Sequence, residues 1–201
     1  MAQAYVKTHT GATGQSGVTA TVSVVSATAG NHLRLNIKIS SDSRTISTVA
    51  DNSGGGTTWL DTGESADDLT NNKQRMWYLE NIPSGSYTIT ITFDSSAATQ
   101  VEAWADEYSG TATSSSLDVH TSHGAAVGAS PLSVGPTGTT TQANAMAYTC
   151  GCSMSASGTL RPLTVPPSGY TTAHSGQPVN TNANQMASAH LVLSATGTQS
   201  V

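Results

Sequence analysis

The feature that most constrains the fold is a strictly alternating run of residues that follows a turn, in the segment Asn81–Phe93. Pro83 and Gly85 form the turn, and apolar side chains then alternate with serine or threonine. The apolar positions are Tyr87, Ile89, Ile91 and Phe93. Because side chains along a strand point to opposite faces in turn, one face must meet an apolar partner and the other can meet water. The segment therefore predicts a strand at the centre of a layered β structure.

The same alternation recurs along the chain, between clusters of Gly, Asn and Ser that are typical of turns. In His32–Ser40 the residues Leu33, Leu35, Ile37 and Ile39 are predicted to point inward, and Arg34, Asn36 and Lys38 outward. Further strands are predicted at Val18–Ser26, Thr45–Ala50, Gln74–Glu80, Thr99–Tyr108, Asn144–Cys152 and Gln185–Ala195, with shorter ones at Trp59–Leu60 and Leu132–Val134.

Other segments are predicted to lack strands. Residues 61–73 are polar and acidic, which indicates an exposed excursion with a helical turn at Ala66–Leu69. Residues 153–185 are rich in proline and should be poor in regular structure. About nine or ten strands at this spacing predict an all-β fold, an antiparallel two-sheet β-sandwich of jelly-roll or Ig-like type. We expect residues 1–17 to form an N-terminal arm or edge segment and residues 18–201 a single sandwich domain.

Charge is scarce in this chain, and its scarcity excludes two classes of partner. Only 9% of residues are charged, the net charge is −5, and the seven Lys and Arg residues are scattered. A chain without a basic stripe cannot neutralise a row of phosphates, so we expect no nucleic-acid binding and no binding to anionic membranes. The sequence also has no run of about 18 apolar residues that would predict a membrane span.

The start of the sequence bears on localisation. Residues 1–7 have neither the basic nor the apolar region of a secretory signal. This predicts a protein made in the cytoplasm, although a composition rich in Thr, Ser and Gly and poor in charge is common in extracellular β proteins. Virion proteins combine both properties, because they fold in the host cytoplasm and act outside it. The alternative is an extracellular or cell-surface protein in which Met1 replaces a removed signal.

Cysteine and histidine are the first candidates for chemistry. Cys150 and Cys152 are alternate residues of a predicted strand, so they face the same way about 6.5–7 Å apart, near the upper limit for a disulfide. Buried free thiols, a strained or intersubunit disulfide and a metal site are all compatible with this spacing. The six histidines are dispersed and are expected at the surface, and His120 and His123 form the one close pair in the sequence. A metal on a symmetry axis is the alternative for that pair; no cofactor is predicted.

Acids and aromatic residues are the other candidates. Asp106 and Glu107 point to opposite faces of one predicted strand, and Glu102 shares a face with Asp106. A glycosidase needs two carboxylates that flank a sugar, whereas a solvated strand face or bonds to neighbouring threonines are the simpler interpretation. An aromatic platform for an interface or a glycan is predicted at Trp59, Trp77, Trp104 and Tyr108, with core packing as the alternative.

Four segments carry a recognisable pattern: residues 49–54, 77–85, 89–93 and 107–118. They resemble an uncharacterised β-sandwich family that recurs in tailed-phage virion proteins and bacterial surface proteins. The most specific stretch reads Glu-Tyr-Ser-Gly-Thr-Ala-Thr-Ser-Ser from Glu107. The resemblance covers roughly residues 18–201 and implies a sandwich without established catalytic residues. The family pattern usually continues into a Trp-containing strand, whereas this sequence ends at Val201. Either a short closing strand or pairing of that edge with a partner chain is therefore expected.

These observations together predict a non-enzymatic virion structural protein, most similar to a head decoration or cement protein. Its expected partners are the major capsid protein, another virion protein and further copies of itself. Specific interfaces bury about 1,200–2,000 Å², and a closed ring of copies adds avidity. The alternative is a carbohydrate-binding or adhesion module of a phage fibre or cell surface. A hydrolase is the third hypothesis, because no nucleophile elbow, phosphate loop or zinc-protease motif occurs in the sequence.

Overall fold

The computed structural model describes residues 2–11, 17–39, 44–67, 73–95, 101–122, 136–153, 169–176 and 185–200. Within these ranges every regular element is a β-strand, and every strand pairing is antiparallel, which confirms the all-β prediction. The strands are β1 (Ala4–His9), β2 (Thr19–Ala27), β3 (His32–Ile39), β4 (Ile46–Asp51), β5 (Leu60–Asp67), β6 (Lys73–Leu79), β7 (Gly85–Phe93), β8 (Val101–Ser109), β9 (Met146–Ser153), β10 (Thr171–Gly176) and β11 (Gln185–Val192).

The strands form three sheets, where the sequence predicted two sheets of nine or ten strands in all. The central sheet has five strands in the order β1-β8-β3-β6-β5. The threonine sheet has the order β2-β7-β4, and the cover sheet has the order β10-β11-β9. The central sheet lies between the other two. One of its faces contacts the threonine sheet and the other contacts the cover sheet, as the side chains of β3 and β8 show.

One face of the central sheet packs on the threonine sheet through an apolar core. In β7 the four alternating apolar residues are all buried, as predicted from their period of two. They meet the inward-facing residues of β3, which are fully buried as well. The core comprises Ala20, Val22, Val24, Ala27, Leu33, Leu35, Ile37, Ile39, Trp59, Leu79, Ile82, Tyr87, Ile89, Ile91, Phe93, Val101, Ala103 and Ala105. Removal of this apolar surface from water is the main contribution to stability in this half of the molecule.

The other face of the central sheet is polar, and it is buried as well. Arg34, Asn36 and Lys38 were predicted to point to solvent, and this prediction is wrong, because their exposed fractions are 9%, 0% and 0%. The cover sheet lies against this face, and Tyr148 of β9 accepts a hydrogen bond from Asn36 Nδ2 at 2.5 Å. All eight residues of β3 are therefore buried.

Two segments differ from their predicted structure. β5 occupies Leu60–Asp67, where an exposed excursion was expected, because it pairs with β6 in the central sheet. β10 lies in the proline-rich segment and pairs with β11. The first 17 residues contribute β1, an edge strand of the central sheet that pairs with β8. Gly11 follows β1 and packs against the carbonyl of Ala103, where a Cβ would overlap that oxygen. The predicted strand Leu132–Val134 and residues 68–69 of the predicted helical turn lie outside the described residues.

Candidate functional site

The acids of β8 are the residues on which an enzymatic interpretation would rest, and Asp106 is fully enclosed. Its exposed fraction is 0%. Thr8 donates to Oδ1 at 2.5 Å, and Tyr148, Ser188 and Trp104 donate to Oδ2 at 2.7, 2.5 and 3.2 Å. These donors come from β1, β8, β9 and β11. The carboxylate thus joins the central sheet to the cover sheet as a shared acceptor.

Glu107 has an equivalent role on the opposite face of β8. It is also 0% exposed. The Thr28 amide and Asn31 Nδ2 donate to Oε1 at 3.0 and 2.6 Å, and His9 Nε2 bonds to Oε2 at 3.0 Å. Lys7 Nζ lies 3.9 Å from the same oxygen. The carboxylate therefore ties β1 and the turn between β2 and β3 to the central sheet.

Glu102 is the third acid of β8, and it shares a face with Asp106 as the sequence indicated. It is 5% exposed and lies 3.8 Å from the ammonium group of Lys38. Burial raises the pKa of Glu102, and the Lys38 charge opposes that rise. All three carboxylates are thus enclosed. The oxygens of Asp106 and Glu107 already accept hydrogen bonds from the protein itself, in the place of contacts to a bound sugar.

The predicted aromatic platform is divided between two interfaces. Trp59 is 7% exposed in the apolar core, where its indole donates to Asp51 at 2.8 Å, and Trp77 is half-buried against that core. Trp104 and Tyr108, 4% and 0% exposed, lie on the opposite face of the central sheet. The structure does not bring these four rings together. The four rings are packed inside the protein, which is the alternative that the sequence left open.

The histidines were expected at the surface, and three of those that the structure describes are buried instead. His120 is exposed as expected, and His123, the other member of the close pair, lies outside the described residues. His9, His32 and His190 are 3%, 0% and 9% exposed. Burial lowers the pKa of each of them, that of His32 to about 4. His9 Nδ1 accepts from the Val25 amide at 3.2 Å, so the proton of its neutral ring lies on Nε2 and is donated to Glu107. These histidines pack and position neighbouring strands.

Both cysteines lie on β9, and Cys150 is a free thiol. Cys150 Sγ accepts a hydrogen bond from Gln74 Nε2 at 2.8 Å, which again links the cover sheet to the central sheet. Burial raises the pKa of Cys150 far above its usual value, and this keeps the thiol protonated. Within the described ranges no group of three or more His, Cys, Asp or Glu side chains is placed to hold a metal ion.

One end of the molecule, where loops meet, carries an open pocket of about 310 Å³. The loops after β4, β6 and β8 converge there: Glu80 accepts from the Ser116 amide at 2.6 Å, and Gly55 lies against Pro83. Burial acts to raise the pKa of Glu80, but the hydrogen bonds from Ser116 outweigh it and lower the pKa below its usual value. The pocket is lined by Gly55, Gly56, Thr57, Thr58, Leu60, Leu79, Glu80, Asn81 and Thr113.

A second outward-facing feature is the outer surface of the threonine sheet, which we call the threonine face. Its positions are Thr19, Thr21, Ser23, Thr48, Ala50, Thr88, Thr90 and Thr92, all exposed or half-buried. In the strand register Thr90 lies between Thr21 and Ala50, and Thr92 between Thr19 and Thr48. The result is an uncharged array with a spacing of about 4.8 Å between strands.

The fold and these surfaces define the chain as an all-β protein of antiparallel sheets. Neither a protein-family model, nor a curated protein, nor a solved structure matches it. In the described part of the chain no helix is long and apolar enough to cross a membrane.

Proposed function

We propose that this protein is a non-catalytic structural protein of a virion surface, a capsid decoration or cement protein. The observation that supports the proposal most is the use of the β8 carboxylates: Asp106 and Glu107 act as internal acceptors that hold sheets together. The fold that fits this role is a jelly-roll or Ig-like sandwich formed by the central and threonine sheets, with the cover sheet added to it. Its partners would be the major capsid protein, another virion protein and further copies of the chain.

The threonine face is the surface we assign to the partner. Threonine presents a methyl and a hydroxyl group without a charge, so the face can be buried in a contact without the desolvation of ions. Binding through such a face depends on shape and area, and many copies on one shell would raise its avidity.

Reconstitution of particles that lack the protein tests the proposal. Purified protein should sediment with such particles and raise their resistance to heat. The Thr21→Lys variant should lose binding, because a lysine on the threonine face would be buried without a partner. Thr139→Lys, at an exposed loop position, is the matched control and should bind normally. If the wild type fails to bind, the proposal is wrong; if both variants bind equally well, the threonine face is not the contact.

The alternative, a carbohydrate-binding or adhesion module, is favoured by the pocket at the loop end. Its volume is near the lower limit for small-molecule sites, about 300–1,000 Å³, and hydroxyl, amide and backbone groups line it. A glycan array should then give hits that the Thr58→Arg variant loses and the Thr139→Arg variant keeps. An array without hits would exclude this alternative.

A further inference from the structure

The layer between the central sheet and the cover sheet contains a buried cation without an ion-pair partner. Arg34 is 9% exposed, and its Nη1 is buried with no hydrogen-bond partner in the protein. None of the ion pairs among the described residues includes Arg34. A guanidinium does not lose its proton in proteins, so it must be compensated in place.

The acid that the register offers to Arg34 is directed elsewhere. Asp106 is the direct cross-strand neighbour of Arg34 in the β3–β8 pairing. The hydrogen bonds that its oxygens accept come from Thr8, Tyr148, Ser188 and Trp104, and not from Arg34. The guanidinium instead lies over the ring of Tyr78 on the adjacent strand, with Cζ 5.1 Å from the ring centroid.

Two further polar groups of this layer are buried without partners. The Tyr108 hydroxyl is one of them, on the same face of the sheet and diagonal to Arg34 across the β3–β8 pairing. The other is His190 Nδ1 on the cover sheet, whose ring centroid lies 5.3 Å from that of Tyr108. A guanidinium N–H and a hydroxyl are both donors, and an imidazole nitrogen can be one in the appropriate tautomer.

From this grouping we propose that the protein binds a small monovalent anion, chloride or one of similar size, between the two sheets at Arg34, Tyr108 and His190. Such an ion would accept from all three groups and balance the guanidinium charge where water is excluded. A monatomic ion needs few donors and no fixed geometry, whereas phosphate or sulfate would need donors for several oxygens. The tyrosine rings of Tyr78 and Tyr108 would enclose it.

The test is the thermal midpoint of the full chain in sodium chloride and in sodium gluconate at equal ionic strength. Chloride should raise the midpoint with a saturable dependence, by about 5–10 °C at a hundred times the dissociation constant. Arg34→Met should abolish the difference between the salts. Arg75→Met, which removes a half-buried cation from β6, should retain it. Tyr108→Phe should weaken chloride binding about tenfold, because it removes one donor to a charged group.

A crystal soaked in bromide provides a second readout that does not depend on the folding of the Arg34 variant. An anomalous peak within hydrogen-bond distance of Arg34 Nη1 and the Tyr108 hydroxyl is expected. Equal midpoints of the wild type in the two salts would overturn the proposal, as would a bromide map without a peak at Arg34. A peak that appears only at soaking concentrations, without a saturable effect on the midpoint, would mean an adventitious ion only and would also overturn it.

Discussion

The two interfaces of the central sheet bury the same strands by different chemistry. Towards the threonine sheet, β3 presents Leu35 and Ile37, which lie in a continuous apolar core. Towards the cover sheet, it presents Arg34 and Asn36, which lie in a polar layer connected by directed hydrogen bonds. One strand thus takes part in an interface held by buried area and in another held by donor–acceptor geometry.

The difference shows that burial alone does not define a core. Apolar packing is non-directional and tolerates small adjustments, whereas a buried polar layer is stable only when its donors and acceptors are matched. Asp106 supplies four such matches, while the unpartnered Tyr108 hydroxyl and Asn36 Oδ1 lie in the same layer. We therefore expect the cover sheet to be the less robustly attached of the two outer sheets.

The largest expected effect is on the apolar interface. Ile91→Ala removes a fully buried side chain from the centre of β7 and should lower the free energy of unfolding by about 4 kcal/mol, through lost transfer energy and a residual cavity. Urea unfolding followed by circular dichroism measures it. Ile91→Val is the control and should cost about 1 kcal/mol. Equal losses for the two variants would mean that this interface is not closely packed.

Breaking the polar interface should cost somewhat less. Asp106→Ala leaves four donors without this acceptor, two of them buried, and should destabilise the protein by about 3 kcal/mol. Ser188→Ala should cost about 1 kcal/mol in the wild type but almost nothing in the Asp106→Ala background, because its acceptor is already missing. Additive losses in this double-mutant cycle would contradict the role of Asp106 as a shared acceptor.

Acid should destabilise the two interfaces to different extents. Burial lowers the pKa of His174 and His190 in the cover sheet, that of His9 in β1, and that of His32 in the central sheet to about 4. Since the unfolded chain takes up these protons near pH 6.5 and the folded chain resists them, stability should fall as the pH decreases from about 6.5 towards 4, by at most about 1.4 kcal/mol per pH unit for each histidine.

Amide hydrogen exchange as a function of pH measures this difference between the sheets. Protection in β11 should decrease at a higher pH than protection in β7, whose apolar core contacts do not titrate in that range. The variant His174→Phe should reduce the acid sensitivity. Protection that decreases in both strands together would show that the two interfaces unfold as one unit.

The smallest expected effect lies on the threonine face. Thr21→Val exchanges a hydroxyl for a methyl at an exposed position and should change the free energy of unfolding by less than about 0.5 kcal/mol. The same urea titration measures it, with Ser188→Ala as the buried comparison. A loss above 1 kcal/mol would mean that the hydroxyl takes part in a network across the sheet.

The sequence predicted the apolar half of the fold well, because its signal is periodic. Strict alternation located β3 and β7, and the Asn-Ser-Gly cluster after Asp51 marked a turn. The sequence did not predict β10, since the proline-rich composition around it concealed a short strand whose pairing partner is β11.

The buried acids were identified as residues, but their surroundings were not. Asp106 and Glu102 were predicted on one face, and Glu107 on the other, as the structure has them. Their enclosure was missed. One signal was available: Trp104 and Tyr108 share the face of Asp106, and large aromatic residues beside charges indicate a surface that another layer covers.

The amino-acid sequence by itself determined where strands form and which side of each strand is apolar, because these properties follow from the period of two along a single segment. What the polar side of a strand meets depends on residues far away in the chain. Only the tertiary structure decided that Arg34, Asn36 and Lys38 are buried and not in water, with Asn36 bonded to Tyr148 of β9. The physical reason is that a polar side chain satisfies its hydrogen bonds equally well with water or with a matched partner, and local pattern does not distinguish the two.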